Sequence, residues 1–251
     1  MLARVGVSMG RGIIQMQRIV VVNPKGGCGK TMLSTNLASF FSHQGAITTL
    51  MDLDPQGSSV FWALNRPDNA PHIQLVDAHN CPLNVTRSWA IQPPRNTEVL
   101  ILDTPARPDL VNLSPLLREA TAILLPVVLE EFDLHAVTHT VQELRRMLPS
   151  RQNMAVVINR FAASPRATRR AHDLEKTLSL PIVAYLRQSR TFLQAASEGK
   201  GVYEMAGSHY RRDKQGIAGI GEWCSNRGAE SAGETGLKRL HPDVIAMASN
   251  L

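Results

Sequence analysis

A short β-branched run, Ile19-Val20-Val21-Val22, breaks at Asn23-Pro24 and gives way at once to Gly26-Gly27-Cys28-Gly29-Lys30-Thr31. Apolar residues at helical spacing then continue from Thr31 to Phe41. The run reads as a buried parallel strand, so the order is strand, glycine-rich loop, helix. The loop fits G-x-x-x-x-G-K-[ST] with its first glycine replaced, the pattern of a phosphate-binding P-loop. Glycine is required there because the backbone must curl until its N–H groups point inward at phosphate oxygens. Lys30 is placed to supply a point charge to the β and γ phosphates of a nucleotide, and the Thr31 hydroxyl to ligate Mg²⁺. The helix that starts at Thr31 adds its positive N-terminal end.

The rest of the chain repeats the same alternation. Apolar stretches at residues 47–53, 99–102, 122–128 and 154–158 end in Asp52-Leu53-Asp54-Pro55, Asp103-Thr104-Pro105, Pro126 and Asn159-Arg160 respectively, and residues 182–184 make a short sixth strand. Pro126 is expected to end its strand, because proline disfavours a central strand interior. Helical patterns lie between, clearest over residues 134–148. The predicted fold class is α/β, a P-loop NTPase with a mostly parallel sheet and helices on both faces. Lys25, Lys30, Asp52, Asp54, Asp103 and Asn159 all fall at the C-terminal ends of strands, the edge where open α/β sheets bind ligands.

Charge placement adds a second constraint. Net charge is +6, yet residues 145–190 alone hold ten Lys or Arg against Asp173 and Glu175, leaving the remainder slightly negative. A basic excess confined to one stretch points to a polyanion-facing surface. No run of 18 apolar residues appears, so no membrane span is expected. Cys28, Cys81 and Cys224 form neither a CxxC pair nor a metal-ligand cluster, which fits reduced thiols in the cytoplasm. Residues 1–15 read as an N-terminal extension preceding Met16, and residues 16–215 as the P-loop domain. Residues 216–251 read as a flexible tail with six glycines between 216 and 236. Within that tail, residues 237–251 carry an amphipathic spacing interrupted by Pro242.

A second lysine, Lys25, together with the missing first glycine, makes the loop resemble the deviant Walker A motif KGGxGKT of the ParA/MinD family of P-loop ATPases. Residues 50–57 resemble that family's switch I, residues 100–105 its Walker B and switch II, and residues 193–204 a late block of the ParA branch. The branch members most similar are the small plasmid-partition ATPases and the carboxysome-positioning proteins called McdA. The resemblance implies ATP and Mg²⁺ as ligands, with Gly26, Gly27, Cys28, Gly29, Lys30, Thr31 and Met32 around the phosphates and Asn159 at the adenine. Thr31 and Asp103 would hold Mg²⁺, with Asp52 close to the metal shell. Lys25 would reach the partner's nucleotide in an ATP-dependent homodimer, and Asp54 would orient the attacking water.

By that likeness the chain hydrolyses ATP to ADP and phosphate, slowly without a stimulating ParB-like or McdB-like adaptor. It would bind non-specific double-stranded DNA as a dimer and position a plasmid, chromosome locus or carboxysome. The expected location is the cytoplasm, on the nucleoid. Candidate DNA contacts are Arg166, Arg169, Arg170, Arg187, Arg190, Arg211 and Arg212. The alternative is a MinD-like membrane-surface ATPase, which needs a basic amphipathic C-terminal helix; Pro242 and only two nearby cations, Lys238 and Arg239, oppose stable anchoring.

Overall fold

The computed structural model describes residues 16–79, 92–148 and 153–231. Seven strands form one parallel sheet: β1 (Gln17–Val21), β2 (Thr48–Asp52), β3 (Gln74–Asp77), β4 (Val99–Asp103), β5 (Ala122–Val127), β6 (Met154–Phe161) and β7 (Ile182–Arg187). Their spatial order is β3-β2-β4-β1-β5-β6-β7. Connections leave β1 to one side for β2 and return past it from β4 to β5, so the switch in direction lies beside β1, where such sheets bind ligands.

Both faces of the sheet are covered, as the unbroken apolar run at residues 19–22 requires. Ile19 and Val21 point to a core shared with Leu33, Leu37, Phe40, Leu50, Trp62, Ile217 and Ile220. Val20 and Val22 point to the opposite core, with Leu113, Leu117, Val137, Val141 and Leu174. The first face is capped by α1 (Lys30–His43), α2 (Ser58–Leu64), α6 (Arg190–Ser197) and α7 (Arg211–Ser231). The second is capped by α3 (Leu110–Arg118), α4 (Glu131–Met147) and α5 (Pro165–Leu178).

Three expectations need correction. The edge strand β3 has only four residues, none of them buried, so it carries too weak an apolar signal to read from sequence. Pro126 does not end its strand: β5 continues through it, and Pro126 pairs in register with Val157 of β6. In a parallel strand a residue's N–H and C=O point the same way. The Leu124 carbonyl accepts from Val22 N at 3.0 Å, so Pro126 faces the same side, beyond the end of β1. No ladder donor is lost there, and the Pro126 carbonyl is taken by Asn23 Nδ2 at 2.6 Å.

The third correction concerns the stretch from Gly216, expected to be flexible. Residues 211–231 are one helix, α7, with Ile217, Ile220 and Cys224 buried on one side of it. The glycines hid this period. A Cβ on Gly221 would sit 2.3 Å from the Phe40 ring, so the missing side chain is what lets α7 close on α1. Each helical glycine costs about 1 kcal/mol of propensity, which the packing of Ile217, Ile220 and Trp223 offsets. The expectations for residues 1–15 and 232–251 lie outside the described residues.

Candidate functional site

The loop joining β1 to α1 sits over the sheet's C-terminal edge. Gly29 closes it in the left-handed region at φ +103°, a conformation an L side chain resists. A Cβ on Gly29 would also fall 2.1 Å from Asn159 Nδ2. α1 begins with no side-chain cap and no acidic residue in its first turn, so its terminal N–H groups are left for a ligand.

Lys30 is buried at 6% exposure, and its Nζ donates to the Lys25 carbonyl at 3.0 Å. Thr31 and Met32 follow it in the first turn of α1, both half-buried. Gly26 and Gly27 are exposed, whereas Cys28 is buried, and burial pushes its thiol pKa up. An inert thiol there leaves the residue's backbone as its contribution to the loop.

Two asparagines brace the loop. Asn23 accepts from Lys25 N at 3.1 Å through Oδ1 while its amide holds β5. Asn159, expected at an adenine, bonds within the chain: Nδ2 donates to the Cys28 carbonyl at 2.8 Å and Oδ1 accepts from Arg160 N at 2.9 Å. The buried amide therefore holds the floor of the loop.

The acidic side of the crevice comes from β2 and β4, where Asp52 and Asp103 stand opposite each other in register. Both are fully buried. Asp103 is pushed up to about 6, first by burial and further by the neighbouring Asp52 charge; hydroxyls of Ser59, Thr31 and Ser34 oppose the shift. Burial likewise raises Asp52.

Asp52, expected near a metal shell, accepts from backbone at both oxygens: Oδ1 from Asp54 N at 2.9 Å and Oδ2 from Val60 N at 3.0 Å. It clamps both ends of the segment that carries Asp54. The Asp54 carboxylate is half-exposed and accepts from Gln56 N at 3.0 Å, leaving it at the open mouth of the site.

A hydroxyl at Thr31 and a carboxylate at Asp103, both hard oxygen donors beside a phosphate loop, suit Mg²⁺, which keeps several waters and takes few protein ligands.

Lys25 bonds outward. Its Nζ lies 2.9 Å from Asp133 Oδ1; the lysine is 42% exposed, the aspartate 2%. That hydrogen bond and charge hold the lysine's pKa above its usual value. Asp133, Ser34 and Ser59 escape a sequence reading because each meets its partner only across the fold.

The basic candidates separate into two kinds. Arg166, Arg169, Arg190, Arg211 and Arg212 are exposed, at the heads of α5, α6 and α7. Arg187 instead donates through Nε and Nη2 to Asp213, both at 2.8 Å, and Asp213 also accepts from Ser189 and Thr191. That knot, around the buried Asp213, ties β7 and α6 to α7, so Arg187 is already paired within the chain. Arg170 donates to the Leu129 carbonyl and to Glu131, both at 3.0 Å. Because Ser189 and Thr191 meet Asp213, Arg190, Arg211 and Arg212 are brought to one junction, across 20 residues of chain.

Residues 19–202 match the CobQ/CobB/MinD/ParA nucleotide binding domain. The chain is 29% identical over 192 residues to maintenance of carboxysome distribution protein A from Halothiobacillus neapolitanus, covering 74% of this chain and 87% of that one. It is 28% identical over 242 residues to the chromosome-partitioning ATPase Soj of Thermus thermophilus, covering 79% and 94%. Among solved structures, a McdA–ATP complex from Cyanothece superposes with a TM-score of 0.65 at 17% identity, covering 89% of this chain and 99% of that one.

Proposed function

The chain belongs to the CobQ/CobB/MinD/ParA family of nucleotide-binding domains, and from that premise we propose an ATP-driven positioning switch. In this reading it binds Mg·ATP, pairs face to face with a second copy, binds DNA without sequence preference as that pair, and disperses on hydrolysis. A stimulating adaptor would set the timing. The favoured cargo is a carboxysome, supported by the relatives from Halothiobacillus neapolitanus and Gloeobacter kilaueensis, both named for carboxysome distribution.

One observation carries the reading. The loop has two lysines with different fates: Lys30 is buried and turned inward, whereas Lys25 is half-exposed and held only at its tip by Asp133. A cation so placed can leave Asp133 for a phosphate presented by a facing copy, and dimerisation then depends on the triphosphate.

Phosphoryl transfer is mainly positioning and charge neutralisation. Lys30 and the free N–H groups of α1 would take the phosphate charge. Thr31 and Asp103 would hold Mg²⁺, which would supply further neutralisation of the phosphate charge. Asp54, beside a polyanion, is a weak base and is suited to orienting water. Asp52 keeps the Asp54 segment in place, and Asn159 keeps the loop curled. Arg166, Arg169, Arg190, Arg211 and Arg212 would meet DNA phosphates, and pairing two copies doubles those contacts.

The test uses the full chain with Asp54→Ala to prevent hydrolysis. Light scattering after gel filtration should give a dimer with ATP and Mg²⁺ and a monomer with ADP, and DNA retention should follow the dimer. A monomer at saturating ATP ends the proposal. Equal DNA binding in ATP and ADP ends its DNA arm, and ATP-dependent sedimentation with liposomes in place of DNA would favour the membrane-surface alternative. Among the described residues no helix is long and apolar enough to cross a membrane.

A further inference from the structure

The first turn of α2 touches both buried carboxylates at the end of the sheet. Val60 N donates to Asp52 Oδ2 at 3.0 Å, and Ser59 Oγ donates to Asp103 Oδ2 at 2.7 Å. The other Asp103 oxygen accepts from Ser34 Oγ of α1 at 3.2 Å. Asp103 is thus held between hydroxyls of the helix that starts in the phosphate loop, Ser34 and Thr31, and one of the helix that follows Asp54. Ser59 itself is fully buried.

A buried hydroxyl is costly unless bonded. In a first turn, serine commonly bonds to nearby backbone, but this one spends its proton on a carboxylate 44 residues away. Each carboxylate oxygen has a second lone pair. The bond from Ser59 therefore sets the rotation of Asp103 about its Cβ–Cγ bond and leaves a lone pair on each oxygen for a cation or its water.

We propose that Ser59 is a positioning residue of the divalent-cation site: its hydroxyl fixes the Asp103 carboxylate and couples the seating of α2 to cation binding. The inference rests on the Mg·ATP reading above. Its consequence is that the segment 54–60, strapped to Asp52 and Asp103, would be held more firmly with a cation bound. Groups that orient a metal's ligands are commonly worth 10- to 100-fold in metal affinity, and Ser59 is assigned that role here.

The experiment titrates Mg²⁺ into the full-length protein, stripped with EDTA, in the presence of a fluorescent ribose-labelled ATP. It compares the wild type with Ser59→Ala and Ser59→Thr. The expected result is a rise of about tenfold or more in half-saturating Mg²⁺ for S59A, with Mg-free nucleotide affinity changed less than about twofold, and recovery in S59T. If Ser59 only satisfies a buried charge, S59A lowers thermal stability but leaves half-saturating Mg²⁺ within about twofold of wild type, and the proposal is overturned. Should S59A fail to fold, Ser59→Cys, with similar volume and a weak donor, carries the same comparison. A wild type whose nucleotide binding ignores Mg²⁺ removes the Mg·ATP reading and this inference together. A Mg-dependent wild type with an unchanged S59A removes this inference alone.

Discussion

The two sides of the crevice are built on opposite principles. On the β2–β4 side, Asp52 and Asp103 are fully buried, and three of their four oxygens accept at 3.0 Å or less. On the α5–α7 side, the candidate cations are exposed at helix heads, apart from Arg187 and Arg170, which the fold has already engaged. The first side is organised before any ligand arrives. The second acquires strength only from number. The difference matches the chemistry proposed for each: a transferring phosphoryl group tolerates little misplacement, whereas a DNA backbone presents a repeating charge that any well-spread set of arginines can meet.

The sharpest way to break this contrast is at Lys30. Lys30→Ala should reduce ATP hydrolysis by about 100- to 1,000-fold, as loss of a preorganised charge does elsewhere, measured by phosphate release. A change below about tenfold would place the phosphates elsewhere.

Next in size is Asp103→Asn. The carboxyl's folded-state pKa, about 6, lies above its ordinary value, so ionised Asp103 opposes folding. This penalty is absent below about pH 4, grows as pH rises towards 6, and is complete above it. Without Mg²⁺, the asparagine variant should therefore be more stable than wild type at pH 8 by on the order of 3 kcal/mol, with the gain vanishing near pH 4. Denaturant titrations at both pH values check this.

A third comparison sets Arg187 against its exposed neighbours. Arg187→Ala strands the buried Asp213 carboxylate and should cost roughly 2 kcal/mol in stability, less than a fully buried pair because the arginine is 39% exposed. The triple replacement of Arg190, Arg211 and Arg212 by Ala should leave stability within about 0.5 kcal/mol. It should instead weaken ATP-dependent DNA binding and lower its salt slope by about one for each DNA phosphate no longer neutralised. Thermal melts and DNA titrations at three salt concentrations separate the two classes; a stability loss in the triple variant would show that these arginines serve the fold.

The smallest effect is expected at Asp133. Asp133→Asn releases Lys25 from its own chain, and the half-exposed pair limits the gain in ATP-dependent dimer to less than about tenfold, read by sedimentation at several protein concentrations. A decrease in dimer would mean that Asp133 holds Lys25 in its working position.

Much of the nucleotide side was readable residue by residue. Gly29, Lys30 and Thr31 are contiguous, and each is demanded by one interaction or one backbone angle. Asp103 announced itself as an acid ending an apolar run. The intrachain hydrogen bonds of Asp52 and Asn159 were not legible, because a strand-end polar group looks the same in sequence whether it faces a ligand or a neighbouring loop. Asp213, which decides the fate of Arg187, lies 26 residues from it, and charge counting cannot see a pairing across that distance. The glycines of α7 concealed a helix because a residue that breaks isolated helices also permits close approach between packed ones.

What the chain carries on its face is therefore the local chemistry: a strand that must be buried on both sides, a loop that must curl, a lysine and a hydroxyl at its end. These follow from short-range sterics and from groups within a few bonds of one another. Tertiary structure alone chose the second lysine's counter-charge, the serine hydroxyls on Asp103, the clamp from Asp52 and the sorting of arginines into bonded and exposed. Each of those depends on which distant atoms burial brings to within about 3 Å, hydrogen-bond reach, a matter of packing that no stretch of sequence contains.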